Sequence, residues 1–548
     1  VWILLHEKSR NAVKIIPGRR PCASWGKAGT DSGMASETLR EARKYEEMTQ
    51  VQITQEERPA FHLSPRVGWM NDPNGFSYYQ GMYHMFYQYH PYSSYWGPMH
   101  WGHAVSRDLL HWEYLPAALA PDMPYDKDGC FSGSAVTLPD GSQMLLYTGV
   151  LHEPQPDGSF REAQTQCIAI GDGRDYEKLP GNPVLTENDL PEGGSRYDFR
   201  DPKVWTMQDG RYYCVAGNCT ADKDGQILLY SSADGLHWQY ENILAKNNGR
   251  FGRMWECPDF FELDGKWVLL TSPQDMLPRG FEYHNGNGTL CLVGTYDREH
   301  HAFVEEADQA IDYGIDFYAP QTVLAPDGRR IMIGWMQNWD TCNMRSQPKK
   351  WFGQMSLPRE LSIRDGRLYQ WPIRELEQLR CNKAEYRGVK VADGIVRLEG
   401  VAGRQVDLEL EIRPAGLEET DRAPGAESLA EAGRADRQAG TDMYRKFAVR
   451  FAQDTEHHTA VSFRPHESIL KIDRKFSGSR RAIIHQRRSL VSHDRGRLRL
   501  RIILDRFSAE IFINDGEQVM TAVLYTDQEA DGIYFSADGT VSIDVVKY

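Results

Sequence analysis

From Phe61 onward, short aromatic and β-branched runs alternate with Asp-Gly and Gln-Gly turns, a pattern that predicts strands rather than helices. A unit recurs over residues 61 to about 380: an acid or small residue before Pro, an aromatic run, a Gly turn and a second aromatic run. It opens as Asn71-Asp72-Pro73-Asn74-Gly75 and continues through Gln80-Gly81 to Tyr83, then returns as Arg200-Asp201-Pro202, turning at Asp209-Gly210. Two further copies start at Glu256-Cys257-Pro258 and Tyr318-Ala319-Pro320, turning at Asp264-Gly265 and Asp327-Gly328. A shorter echo sets Ser106-Arg107-Asp108-Leu109-Leu110-His111-Trp112 against Ser232-Ala233-Asp234-Gly235-Leu236-His237-Trp238. Repeats of about fifty residues with room for four strands each predict a β-propeller.

The flanks read differently. Residues 1–50 form an extension whose only ordered part is a short helix, Ser36 to Met48, with Ser36 as N-cap and Leu39, Ala42, Arg43 and Glu46 at helical spacing. The stretch before it is Gly, Arg and Lys rich, and Met34 is a candidate natural start. Residues 51–380 make the propeller and 385–548 a second β domain, where Leu498, Leu500, Ile502 and Leu504 alternate with arginines and a strand runs into an Asn514-Asp515-Gly516 turn. A β-sandwich is expected there. The insertion near 414–440 has no aromatic residue and is expected to be solvated and mobile.

Composition narrows the partners. With 63 Lys and Arg against 77 Asp and Glu, the net charge of −14 argues against nucleic acid and anionic membranes and favours a neutral small molecule. Nine cysteines at irregular spacing argue against a disulfide framework, so a cytoplasmic location is expected. The apolar run at Val1 to Leu5 is too short for a signal-peptide core, and no stretch is long enough to span a membrane. His100 and His103 lack a third ligand nearby, so no metal is expected, and the chemistry below needs no cofactor.

In a propeller the innermost strands of successive blades converge on one axial cavity, which brings Asp72, Asp201 and Glu256 together from corresponding positions of three copies. Two carboxyl groups facing each other across a glycosidic bond can cleave it, one as acid and one as nucleophile. The apolar neighbours Trp255, Cys257 and Pro258 suit Glu256 to remain protonated as the acid. Amide donors around Asp72 suit it to act as the nucleophile, and Arg200 beside Asp201 is expected to keep that carboxylate charged for gripping sugar hydroxyls.

Trp69-Met70-Asn71-Asp72-Pro73-Asn74-Gly75, Arg200-Asp201-Pro202 and Glu256-Cys257-Pro258, in this order, resemble the signature blocks of glycoside hydrolase family 32, the invertases, sucrose-6-phosphate hydrolases and fructanases. The likeness continues through Phe131-Ser132-Gly133-Ser134, Asp316-Phe317-Tyr318-Ala319, Pro358-Arg359-Glu360-Leu361 and Asp505 to Gly516. It implies an all-β chain, a five-bladed β-propeller followed by a C-terminal β-sandwich, and a retaining β-fructofuranosidase. On that pattern Asp72 is the nucleophile, Glu256 the acid/base and Asp201 the transition-state stabiliser. The candidate sugar contacts are Trp69, Asn71, Gln88, Trp96, Phe131, Ser132, Arg200 and Trp335. The chain departs from the pattern at His90-Pro91, where the family often has Asn-Pro, which touches the wall carrying Gln88.

The expected substrate is sucrose or sucrose 6-phosphate, the latter with Arg345, Lys349 and Lys350 as a basic cluster for the phosphate. An exo-fructanase acting on inulin- or levan-type chains and a catalytically silent sugar-binding protein are the competing readings. Homo-oligomer formation is left open.

Overall fold

A computed structural model describes residues 35–340, 342, 350–416, 443–478 and 484–548. Five antiparallel sheets follow one another along the chain as blades, with innermost strands Gly68–Tyr79, Gly129–Thr137, Gly194–Thr206, Trp255–Leu263 and Tyr318–Leu324. The fold is the expected five-bladed propeller. The blade at 129–178 escaped the repeat because it carries Phe131-Ser132-Gly133 in place of the residue-Pro pair. A two-stranded parallel pairing of Trp351–Phe352 on Gly68 and Trp69 ties the last blade to the first.

The echo around His111 and His237 is one turn built twice. Asp108 Oδ1 accepts from the Leu110 and His111 amides, and Asp234 Oδ1 accepts from those of Leu236 and His237. In each the following His ring meets the other carboxylate oxygen at 2.7 Å. Leu109 and Gly235 take the left-handed conformation that the turn requires, with φ of 66° and 78°. A third copy at Asp297 and His300, in the fourth blade, has diverged too far in sequence to be seen.

The helix Glu37–Gln50 starts at Ser36, whose hydroxyl accepts from the Leu39 amide, and buries Leu39, Ala42 and Glu46 against the first blade. The C-terminal strands form one ten-stranded sheet folded on itself into a β-sandwich. The 16-residue strand Gly532–Lys547 belongs to both layers, pairing through Gly532–Asp538 with Lys446–Gln453 and through Val541–Lys547 with Val406–Pro414. Residues 1–34, including Met34, most of the 414–440 insertion, Arg345 and Lys349 lie outside the described residues. Among the described residues, no helix is long and apolar enough to cross a membrane.

Candidate active site

The innermost strands are not straight. In every blade the pairing with the second strand slips at the same depth, between Met70 and Pro73, Phe131 and Gly133, Arg200 and Lys203, Glu256 and Asp259, and Tyr318 and Gln321. A bulge of this kind bends the strand and re-aims a side chain. Asp201, Cys257 and Ala319, each before a Pro, take positive φ of 63°, 49° and 50°. This strain is stored at the cavity, where it serves to place groups.

The register corrects one expectation. No two of the three acids correspond: Glu256 stands one residue before the place of Asp201, level with Arg200 and Tyr318, and Asp72 stands one residue after it, level with Pro202, so that Asn71 and Cys257 occupy the place of Asp201. Cys257 nonetheless joins the two aspartates in an inner tier, and Glu256 lies in an outer one with Arg200. In the inner one, Asp72 accepts from Asn71 Nδ2 (3.1 Å), Ser132 Oγ (2.9 Å) and Cys257 Sγ (3.4 Å). Asp201 Oδ2 accepts from the Cys257 amide (2.9 Å) and from the same thiol (3.6 Å), while the Asp201 amide donates to Thr148 Oγ1 (3.0 Å). Cys257, which sequence reasoning noted only as an apolar neighbour, thus bridges both aspartates. A layer deeper, Lys203 and Asp259 form a buried ion pair at 2.9 Å.

In the outer tier, Arg200 turns away from its neighbour. Its guanidinium donates to Glu256 Oε1 through Nη2 (2.9 Å) and Nε (3.2 Å), and stands 4.0 Å from Asp201. Tyr318 Oη donates to Glu256 Oε2 at 2.6 Å. The Glu256 carboxyl is therefore in a polar, hydrogen-bonded place and not in the apolar one that its sequence neighbours suggested. Nor is Asp201 held charged by Arg200. Burial, opposed by Arg200 but reinforced by Glu256 and Asp72, pushes its carboxyl well above the ordinary range. Burial and then the Glu256 charge raise Asp72 to about 6.

The remaining candidates divide by exposure. Phe131 is half-buried and makes an edge contact with Trp96, a residue 43 % exposed on the mouth loop between Pro91 and Met99. Trp69 and Trp335 are fully buried and offer no face to a sugar. Trp69 acts through Asn71, donating from Nε1 to Asn71 Oδ1 at 2.7 Å, and Trp335 packs beside Trp69. Gln88 is buried too, with its amide donating to the Cys130 carbonyl. His100 and His103 are spent inside the first blade, one on the Pro98 carbonyl and the other on His84. Lys350 extends away to Gln52.

A five-bladed propeller with three carboxylates around its axis and a sandwich behind it is the framework of a glycoside hydrolase. The chain matches the family model for the glycosyl hydrolases family 32 N-terminal domain over residues 62–372 and that for the family 32 C-terminal domain over residues 375–548. It belongs to glycosyl hydrolase family 32 and is an enzyme of the β-fructofuranosidase type. It is 39 % identical to a raffinose invertase of Escherichia coli over 86 % of this chain and 90 % of the relative. It is 36 % identical to an Escherichia coli sucrose-6-phosphate hydrolase over 88 % and 93 %. A β-fructofuranosidase of Bombyx mori, solved in complex with sucrose, superposes with a TM-score of 0.74 at 32 % identity, covering 93 % of this chain and 98 % of the other.

Proposed function

We propose that the protein hydrolyses the terminal β-D-fructofuranoside bond of sucrose with retention, through a covalent fructosyl-enzyme intermediate, using residues 51–380 as the catalytic unit and 385–548 as its support. The observation that carries this reading is the two-tier arrangement of the acids. Asp72 is sunk at the axis with neutral donors on both of its oxygens, while Glu256 stands nearer the mouth between Arg200 and Tyr318.

Asp72 attacks the anomeric carbon of fructose as Glu256 gives its proton to the departing oxygen. Glu256, now a base, then takes a proton from water, and that water displaces Asp72. Asp201, locked by the Cys257 amide and thiol, accepts from fructose hydroxyls and strengthens those bonds as positive charge develops on the ring. One guanidinium among three carboxylates leaves a negative excess, and Asp72 and Asp201 are both raised by burial and by their acidic neighbours. The intact acids argue against a silent sugar-binding protein. The eight described cysteines are all free, which supports a reducing, cytoplasmic setting.

Asp72→Ala and Glu256→Ala are each expected to lower kcat/KM on sucrose by on the order of 10³-fold or more in a reducing-sugar assay, with the circular dichroism spectrum kept. On a fructoside whose leaving group needs no protonation, Glu256→Ala is expected to accumulate a fructosyl adduct on Asp72, visible by mass spectrometry. Either variant keeping most of its sucrose activity sinks the assignment.

A further inference from the structure

The second and third strands of the second blade, Gln143–Pro154 and Phe160–Gly171, pair along their whole length and run past the start of the innermost strand. Gly129 is matched by Val150, so the pairs Leu151 to Ala163, His152 to Glu162, Glu153 to Arg161 and Pro154 to Phe160 rise above the catalytic level at the mouth. Side chains on a strand alternate, so one face of this hairpin can be followed outward. It begins with Thr148 and Gln166 behind Asp201, continues with Gln164, then the Glu162 and His152 pair, and ends with Phe160.

Gln164 links this ladder to the chemistry. Its Oε1 accepts from Arg200 Nη1 (3.3 Å) and from the Phe199 amide (2.9 Å), and Arg200 in turn holds Glu256. This face of the hairpin therefore adjoins the Arg200 and Glu256 pair. At the strand rise, Glu162 stands about 7 Å and Phe160 about 13 Å beyond Gln164. The Glu162 side chain is about one-third exposed, and its carboxyl is raised by burial, with Arg200, His152, Asp198 and Glu256 also acting on it. Its nearest basic group is the His152 ring, at 3.8 Å, which Asp128 also approaches at 3.6 Å. Phe160 is 56 % exposed and lies flat on that ring at 4.0 Å. The opposite face is braced, with Arg161 3.5 Å over the Tyr197 ring and Glu153 taking Arg196 and the Tyr197 hydroxyl. The hairpin is thus a fixed wall rather than a loose flap.

We propose that Glu162, His152 and Phe160 form the leaving-group subsite and select an uncharged sugar over a phosphorylated one. The inference rests on the fructosidase reading above, because that reading places the leaving group on the Glu256 side. A carboxylate wall repels a phosphate on the departing sugar, and an exposed aromatic face suits the apolar face of a further neutral ring.

The test is kcat/KM on sucrose, sucrose 6-phosphate and raffinose for the wild type, Glu162→Gln and Phe160→Ala. The wild type is expected to favour sucrose over sucrose 6-phosphate by about tenfold or more, and Glu162→Gln to narrow that ratio by about fivefold. Phe160→Ala is expected to lose about tenfold on raffinose and less than about threefold on sucrose. Each ratio compares two substrates on one protein, so a loss of folded enzyme or an altered Glu256 cancels. A wild-type preference for sucrose 6-phosphate, or ratios that neither variant moves while sucrose is still cleaved, overturns this inference alone. No cleavage of any fructoside overturns the fructosidase reading, and this inference with it.

Discussion

Two clusters of acids in the molecule are treated in opposite ways. At the axis, the one guanidinium bonds Glu256 and stands 4.0 Å from Asp201, which accepts from an amide and a thiol, while Asp72 has only neutral donors among the described residues. At the seam between propeller and sandwich, Asp505 accepts from the Ala60, Phe61 and Arg506 amides and from the His62 ring at 2.7 Å. There Glu510 takes the other His62 nitrogen (3.0 Å), the Leu357 amide and two nitrogens of Arg359, which also reaches Asp312 at 3.1 Å. Burial raises both seam acids, but His62, Arg359 and the amides outweigh it and hold Asp505 and Glu510 below their ordinary values. Burial likewise lowers His62, yet its two carboxylates raise it to about 9. The seam saturates its carboxylates and so joins two domains. The axis leaves lone pairs unfilled, which costs stability but keeps them free for a substrate.

The largest effects should separate the two clusters outright. Arg359→Met takes the cation from Asp312 and leaves Glu510 with His62 alone, and should cost about 3–5 kcal/mol, read as a large fall in Tm, while kcat/KM at low temperature stays near wild type. Asp72→Asn should do the reverse, abolishing turnover while stabilising the fold by about 1–3 kcal/mol at neutral pH. An Asp72→Asn protein melting well below wild type would show that the axial acids hold the propeller together.

A pH series sharpens the contrast. Asp72 must be ionised to attack, so kcat/KM should fall as pH drops through about 6. Its raised value also means that its cost to stability grows as pH climbs from 3.8 through about 6 and is constant above. The His62 contribution is complete below its ordinary 6.5 and is lost as pH rises through about 9, so the wild-type Tm should fall across that window. His62→Gln should melt lower and lose that slope. Asp505 and Glu510 contribute above 3.8 and 4.5, and that part is lost as pH falls through their depressed values. A His62→Gln protein with the wild-type slope would remove the imidazole from the account.

The smallest effect is expected outside both clusters. Lys350 is exposed and bonded to Gln52, so Lys350→Ala should change kcat/KM on sucrose 6-phosphate by no more than about twofold. A much larger loss would restore Lys350 as a phosphate contact.

Much of this was legible locally. The Asp-Gly turns, the residue-Pro pairs and the Ser36 cap are short-range devices, so the propeller, the helix and the three acids could be read from neighbouring residues. The blade at 129–178 could not, because Gly133 does there what Pro does in four others. Three motifs quoted for the family resemblance also take on distinct meanings. Tyr318 reaches Glu256, whereas Asp316 pairs with Arg474 of the sandwich, and Arg359, Asp505 and Glu510 build the seam.

Sequence by itself determined which elements form and singled out the three acids that the fold brings to the axis, since alternation, turn chemistry and spacing act within a few residues. Only the tertiary structure decided how those acids are partnered. Arg200 is adjacent to Asp201 yet bonds Glu256, and Cys257 rather than Glu256 stands level with Asp201. The physical reason is the bulge. A one-residue slip in pairing turns a side chain to another face, and whether it meets a cation, an amide or water then depends on a strand from another blade.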